Sequence, residues 1–444
     1  MLDKTRGKLE ELKPEREYFH PTKDFNQAKD ILLNKNPGYT VFLSGNPGEG
    51  KTTAGHMLLF EMQRKGKTCL ILNDPADAKY VTPEHVNIIF VDNIFGTVTY
   101  DDHLSGLWRR YFDEFKKWKK DKVSFVFTSR ELIYRECKWF LDKEDFFDKD
   151  GFILLLSERL KQEEKAKILI KQLVKNKELK EAFPLKKDEQ TKCCLEFTSP
   201  FGFPLCCQVF ASDIVYLRQK SNFFTRPLEA LEAGIKELWI KDANKPRFVA
   251  LAAVWKSNYK VDVLDLGLLA RKVQLQRRLS LSNFGKEKME EVAEHLNIYL
   301  SHTFSIDDLF EKLNGVYLSY HKPTSWQSGG FTFSHEVIEE AFGRVLTEIK
   351  PDAAIQYGSM EFLVNNTCTV KCNSEGTETI AVEYRESSKI PIEKEHYDDL
   401  FQRLMVSLKE LGDEFVAVHQ SAFEYSNFLD FFFEKLNETG IKEL

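Results

Sequence analysis

The segment Gly45-Asn46-Pro47-Gly48-Glu49-Gly50-Lys51-Thr52, followed by Thr53, has the spacing G-x-x-x-x-G-K-[ST]. Each constrained position has a task in holding a phosphate. Glycines let successive backbone N–H groups turn inward around an anion. A lysine supplies charge to the outer phosphates, and a threonine hydroxyl at the start of a helix can reach a divalent cation while the helix dipole favours the anion. Lys51 is therefore read as the main phosphate charge, Thr52 as a Mg2+ ligand, and the loop from Gly45 to Thr53 as an exposed cradle.

Two further residues have the right chemistry at the right kind of place. Asn87-Ile88-Ile89-Phe90-Val91-Asp92 is an apolar strand ending in a carboxylate, and Asp92 is read as the second side of the magnesium shell. Phe127-Thr128-Ser129-Arg130 ends another strand with an arginine at the sheet edge where ligands bind in open α/β folds. Arg130 reads as a γ-phosphate sensor or, alternatively, as a surface arginine pairing with Glu131 or Glu136. Lys51, Asp92 and Arg130 form the candidate catalytic set.

The elements that would position these groups follow from the pattern of apolar residues. Thr40 to Leu43, Thr68 to Leu72, Asn87 to Val91, Val123 to Phe127 and Phe152 to Leu156 are short, β-branched or aromatic runs suited to buried strands. Helical stretches lie between them, among them Thr52 to Lys65 and Asp102 to Lys119. This alternation predicts an α/β fold in which a parallel sheet is sandwiched by helices. After Leu156 the sequence becomes charge-rich and helix-forming, with Leu160, Ile168, Leu169 and Leu173 on one face of Glu158 to Asn176. Asp242-Ala243-Asn244-Lys245-Pro246 marks a boundary. Beyond it come helices, a strand at Gly315 to Ser319, a Gly329-Gly330 turn, a strand at Phe331 to Phe333 and a helix from Glu336, the order of a winged-helix module. The expected organisation is a charged N-terminal segment (1–19), the nucleotide-binding domain (20–156), a helical lid (157–245), a winged-helix-like domain (246–350) and a mainly helical C-terminal region (351–444) with a short strand near Thr379 to Glu383.

Bulk properties narrow the class. The chain has 444 residues, enough for several packed units, with 42% hydrophobic and 30% charged residues. The longest apolar stretch, Phe248 to Trp255, has eight residues, short of the roughly 20 that span a bilayer. The charged start, Met1 to Glu17, resembles neither a secretory signal nor an organellar presequence, so a cytoplasmic location and no membrane partner are expected. The eight cysteines include the pairs Cys193-Cys194 and Cys206-Cys207, which lack the C-x-x-C loop of a zinc site and are read as buried free thiols. With 63 basic against 69 acidic residues and a net charge of -6, nucleic acid is not implied. The run Lys116-Lys117-Trp118-Lys119-Lys120 reads as a solvated helix face over a Phe112, Phe115, Trp118 stripe.

The motifs together resemble the STAND-class NTPases, the signal-transduction ATPases that include NB-ARC and NACHT proteins, and most of all the group described as novel STAND NTPase 3. The resemblance runs from His20-Pro21-Thr22-Lys23-Asp24-Phe25-Asn26-Gln27-Ala28 through the phosphate loop and Val91-Asp92-Asn93-Ile94-Phe95-Gly96 to Thr128-Ser129-Arg130-Glu131. It continues at Gly202-Phe203-Pro204-Leu205 and Phe333-Ser334-His335-Glu336. It implies ATP and ADP as ligands, Pro204 packing on the adenine, Pro21 and Thr22 bordering the base, and Arg130 as the sensor. It also implies that His335 contacts the β-phosphate of ADP and keeps the protein closed. Read without the resemblance, Pro204 is a loop proline before an apolar run and His335 a capping or packing residue. The family usually has a second acid after the strand carboxylate, where this chain has Asn93. An amide cannot act as a general base, so slow hydrolysis is expected.

The preferred function is a nucleotide-operated conformational and oligomerisation switch. Self-association on activation and an unidentified protein partner are expected, with innate immune or cell-death signalling as the setting. The alternatives are an AAA-like motor or nucleic-acid-remodelling ATPase, which nucleic-acid-stimulated hydrolysis would reveal, and a small-molecule kinase, which phosphorylation of an added metabolite would reveal.

Overall fold

A computed structural model describes residues 1–34, 38–96, 102–142, 146–199, 201–259, 283–300, 306–321, 330–359, 362–363, 366–369, 371–372, 378–379, 389–411 and 426–439. It divides into two units, Met1–Pro227 and Leu228–Leu444.

The first unit is built on β1 (Thr40–Gly45), β2 (Cys69–Ile71), β3 (Ile88–Val91), β4 (Ser124–Arg130) and β5 (Phe152–Leu155), all parallel in the order β2-β3-β4-β1-β5. The five apolar runs thus become the five strands, with ends that differ by no more than three residues. The strands alternate between two faces. Phe42, Phe125 and Phe127 join Trp108, Phe115 and Phe146 on one side, whereas Val41, Leu43, Phe90 and Val126 join Phe25, Met57 and Leu58 on the other. Truncating a ring buried this way costs about 3–5 kcal/mol. Packed around the strands are α1 (Leu2–Leu12), α3 (Lys23–Asn34), α4 (Lys51–Arg64), α5 (Asp102–Arg109), α6 (Phe112–Lys120) and α7 (Glu131–Leu141), while the short α2 (Glu15–Tyr18) buries no residue. The sandwiched parallel sheet is therefore present.

The charged N-terminal segment has a packing role. In α1, Thr5 and Leu9 are buried, and the Ile71 N–H of edge strand β2 donates to Thr5 Oγ1 at 3.0 Å. This covers part of an edge that would otherwise offer unpaired backbone groups. The lysine run also differs in one position from a solvated face. Phe112, Phe115 and Trp118 are buried as expected, but Lys119 turns inward to Asp148 at 2.6 Å and Phe146 O at 2.8 Å. Asp148 in turn accepts from Thr40 N at 2.7 Å, anchoring the start of β1.

The helical run after β5 begins later than its charge pattern suggests, because Ser157–Arg159 forms a 3-10 turn first. It comprises α8 (Gln162–Lys175), α9 (Lys177–Ala182), α10 (Lys187–Leu195), α11 (Phe203–Phe210), α12 (Ile214–Leu217) and α13 (Ser221–Thr225). Cys193, Cys194, Cys206 and Cys207 are buried in α10 and α11, and burial pushes the Cys193 and Cys206 thiols up to about 12.

The second unit contains α14 (Pro227–Ile240), α15 (Lys245–Tyr259), α16 (Asn283–His295), α17 (Ile306–Leu313), the antiparallel hairpin β6 (Leu318–His321) and β7 (Gly330–Phe333), α18 (Glu336–Ile349) and α19 (Pro351–Tyr357). The apolar run Phe248 to Trp255 lies in α15 and is buried on every side, as an all-round apolar helix must be. The first hairpin strand starts at Leu318 instead of Gly315. Gly315 has a left-handed φ of +81° and its N–H donates to Leu318 O at 2.8 Å, closing a turn before the strand can begin. Gly329 and residues 380–383 lie outside the described residues. Further along, Thr367–Thr369 pairs in parallel with Ile390–Ile392, and helices span Tyr397–Leu411 and Ser426–Thr439. Among the described residues no helix is long and apolar enough to cross a membrane.

Candidate functional site

The loop between β1 and α4 has its shape because Gly48 and Gly50 take φ values of +80° and +82°, a region closed to most side chains. Gly50 caps α4, so Lys51, Thr52 and Thr53 occupy the first helical turn, where backbone donors are unpaired. The expectation of an exposed loop needs correcting. Gly48 is buried, and Lys51 is only 7% exposed, its Nζ donating to Gly45 O at 3.0 Å and Asn46 O at 2.9 Å. A lysine can be withdrawn from water here because the first carbonyls of the loop accept its protons. Thr53 is exposed, and Asn46 and Pro47 are half-buried.

Asp92 follows β3, and β4 lies between β3 and β1, with Val91 opposite Phe127, Leu43 opposite Thr128 and Gly45 opposite Arg130. This register gathers the site. Thr52 Oγ1 lies 3.0 Å from each Asp92 carboxylate oxygen. Thr128 Oγ1 donates to Asp92 Oδ1 and accepts from Asn93 N at 2.8 Å. Thr128 therefore holds both the carboxylate and the residue after it. Nothing in the local sequence marks Thr128 for this work, which follows from its place beside the end of β3 in a parallel sheet. Asn93 has φ +48°, a left-handed conformation that asparagine tolerates far better than most side chains. The amide at this position thus has a backbone reason to be there. Arg130 ends β4 level with Gly45, while Glu131, one of its suggested partners, is paired with Arg135.

A hydroxyl and a carboxylate within hydrogen-bond reach, at the start of a helix, are hard oxygen donors of the kind magnesium takes. Thr52 and Asp92 fit that ion, and Lys51 with the loop amides fits the phosphates it accompanies.

Glu49 is half-buried and faces the start of the helical run. Ser157 N donates to its Oε1 at 2.9 Å and Ser157 Oγ to its Oε2 at 2.5 Å. Burial raises its pKa, while the Ser157 bonds and the Lys51 charge pull the other way. Gly202 N donates to Pro47 O at 2.8 Å and Leu205 N to Gly48 O at 3.2 Å. The Gly202-Phe203-Pro204 element therefore sits against the phosphate loop, with Pro204 at the first turn of α11. Ser157 was missed by sequence reading, since nothing local marks a serine after a strand as a partner of a residue so far back in the chain.

The remaining predicted residues stand elsewhere. Thr22 Oγ1 accepts from Phe25 N at 3.3 Å at the start of α3. Pro21 lines a groove of about 870 Å³ between α3 and α8 with His20, Lys23, Glu164 and Lys167, and no residue of 45–53 lines it. Burial, followed by the charge of Lys167, lowers the His20 pKa there. His335 belongs to the second unit, where its Nδ1 accepts from Val337 N at 3.1 Å as the cap of α18.

Residues 19–175 match the family described as Novel STAND NTPase 3. Among solved structures the chain is similar to the Walker-type ATPase paby2304 of Pyrococcus abyssi, at 12% identity and TM-score 0.31, covering 73% of this chain and 95% of that one. It is similar to the ORC2 protein of Aeropyrum pernix at 10% identity and TM-score 0.30, covering 73% and 93%. A third likeness is to domain III of the Thermotoga maritima replication initiation protein DnaA, at 17% identity and TM-score 0.27, covering 40% and 78%. No curated protein matches the chain.

Proposed function

Because residues 19–175 form a P-loop NTPase domain of the STAND class, we propose that the chain binds ATP and ADP with Mg2+ and works as a nucleotide-dependent conformational and oligomerisation switch. The observation that carries the nucleotide part is the Thr52 hydroxyl at 3.0 Å from both oxygens of Asp92, beside Lys51 at the mouth of a glycine-shaped loop. In this reading Lys51 takes the outer phosphates, Thr52 and Asp92 hold the cation, Thr128 keeps Asp92 in place, and Arg130 senses the γ-phosphate. A bound magnesium supplies charge neutralisation to the β and γ phosphates.

The switch rests on the family. ADP holds the nucleotide domain closed against the winged-helix-like module, and exchange for ATP frees the chain to self-associate and engage a protein partner in cytoplasmic, innate immune or cell-death signalling. Pro204 packs on the adenine, with Pro21 and Thr22 bordering it, and His335 reports the nucleotide state from the start of α18. Identifying the nucleotide that copurifies with the chain tests the proposal. Bound ADP supports it, and a chain that carries no nucleotide and binds none on titration removes it. For the switch itself, His335→Ala should release ADP faster and form larger assemblies with ATP on size exclusion. Identical off-rates and assembly would leave His335 a helix cap.

A further inference from the structure

Glu49 is an acidic residue inside an anion-binding loop, and Ser157 engages both of its carboxylate oxygens. Ser157 is itself buried, and its Oγ accepts from Phe203 N at 2.6 Å. The first turn of α11 thus finds its partners on the loop side. Gly202 N bonds to Pro47 O, Phe203 N to Ser157 Oγ and Leu205 N to Gly48 O, satisfying donors that a helix start leaves open. The fit allows no side chain at Gly202, since a Cβ there would lie 2.3 Å from Glu49 N and from Gly48 C.

We infer that Glu49 and Ser157 are positioning residues that tie the phosphate loop to the first turn of α11, so that nucleotide held by the loop is transmitted directly to the helical segment beyond β5. This rests on the nucleotide-binding reading above. The coupling follows from the rigidity of one peptide plane. Glu49 N–H donates to Asn46 O at 3.3 Å, and the same peptide carries Gly48 O, the acceptor for Leu205 N. A phosphate that draws Glu49 N–H away from Asn46 must rotate this plane, because the peptide does not twist. Rotation moves Gly48 O and changes the bond to α11. Glu49 and Ser157 keep the two sides in register through that movement, and they commit a carboxylate that would otherwise repel phosphate.

The full chain is titrated with a fluorescent ADP analogue, and amide exchange of 203–210 is followed with and without ADP. In the wild type, ADP should change the protection of 203–210. Ser157→Ala should weaken ADP binding about tenfold and abolish that ADP-dependent change. Glu49→Ala should do the same while leaving Ser157 to cap Phe203, and Glu49→Gln, which keeps an acceptor for Ser157 N–H, should restore most of it. If Ser157→Ala does not fold, the Glu49 pair decides. A Glu49→Ala protein that binds ADP and protects 203–210 like the wild type overturns the tie while leaving nucleotide binding intact. A wild type that binds no nucleotide overturns the functional reading and the tie with it.

Discussion

Lys51, Thr52 and Asp92 at the edge of the sheet, and Lys256, His295 and Arg344 in the second unit, are polar groups partly or wholly withdrawn from water, but their partners differ in kind. At the sheet edge the bonds run to loop carbonyls and between the Asp92 carboxylate and the hydroxyls of Thr52, at the start of α4, and Thr128, in β4. In the second unit they run from helix to helix. Lys256 of α15 meets Glu291 of α16 at 2.8 Å, His295 of α16 lies 2.6 Å from the Tyr357 hydroxyl and 3.1 Å from Asp352 in α19, and Arg344 of α18 meets Glu232 of α14 at 2.8 Å. A bond to a loop can be exchanged for one to a ligand at little cost to the fold. A bond between helices fastens the fold, and breaking it leaves a charge unpaired. The first arrangement belongs to a site and the second to a scaffold.

The contrast is tested most severely by the largest effect. Arg344→Ala strands Glu232, which is 14% exposed, and should destabilise the second unit by about 3 kcal/mol. Denaturant unfolding measures the loss, and nucleotide affinity should stay at the wild-type value. A comparable fall in affinity would mean that this pair is part of the site after all.

Next in size is a pH effect confined to the first unit. Burial, with a smaller contribution from Lys8, pushes the pKa of His56 in α4 down to about 4. The unfolded imidazole titrates near 6.5, so on acidification the unfolded chain takes up the proton first. This group's contribution to stability is complete above about pH 6.5 and is lost as the pH falls toward 4, on the order of 3 kcal/mol. The difference between the wild-type and His56→Gln stability profiles should show that slope. Parallel profiles would show that His56 does not gain or lose its proton on folding.

Lys51→Ala should weaken ATP binding by more than about tenfold, the scale of one charge-assisted contact. Because Lys51 also satisfies Gly45 O and Asn46 O, a modest loss of stability should accompany it, unlike a wholly exposed lysine. Titration with a fluorescent ATP analogue and a melting curve read the two together, and unchanged affinity in a folded variant would take the loop out of the site.

The smallest effect concerns turnover. With Asn93 after Asp92, steady-state hydrolysis should fall below the roughly 1–100 per second of dedicated phosphoryl-transfer enzymes. Asn93→Asp should raise it several-fold, since aspartate also tolerates the left-handed backbone found there. Phosphate release measures both, and brisk wild-type turnover unchanged by the substitution would place the base elsewhere.

The loop, the five strands and Asp92 were legible because their signals are local. Glycine spacing permits a backbone shape, and an apolar run between turn formers makes a buried strand wherever it falls in the sheet. The order of those strands was not legible. Only the insertion of β4 between β3 and β1 sets Thr128 against Asp92 and brings Arg130 level with Gly45. Likewise, no local pattern announces that Glu49 bonds to Ser157, or that Gly202 closes on the loop so tightly that a Cβ has no room. His335 shows the limit from the other side, since its place before an apolar helix predicted a cap or packing residue while the family resemblance implied a phosphate contact, and the described geometry supplies the cap. Sequence by itself determined which residues could hold a phosphate and a cation, because backbone freedom and side-chain chemistry reside in the residues. Lys51 finds its acceptors within its own loop, but tertiary structure alone decided which neighbours restrain Thr52, Asp92 and Glu49, because those partners lie tens to more than a hundred residues away and meet only when the chain packs.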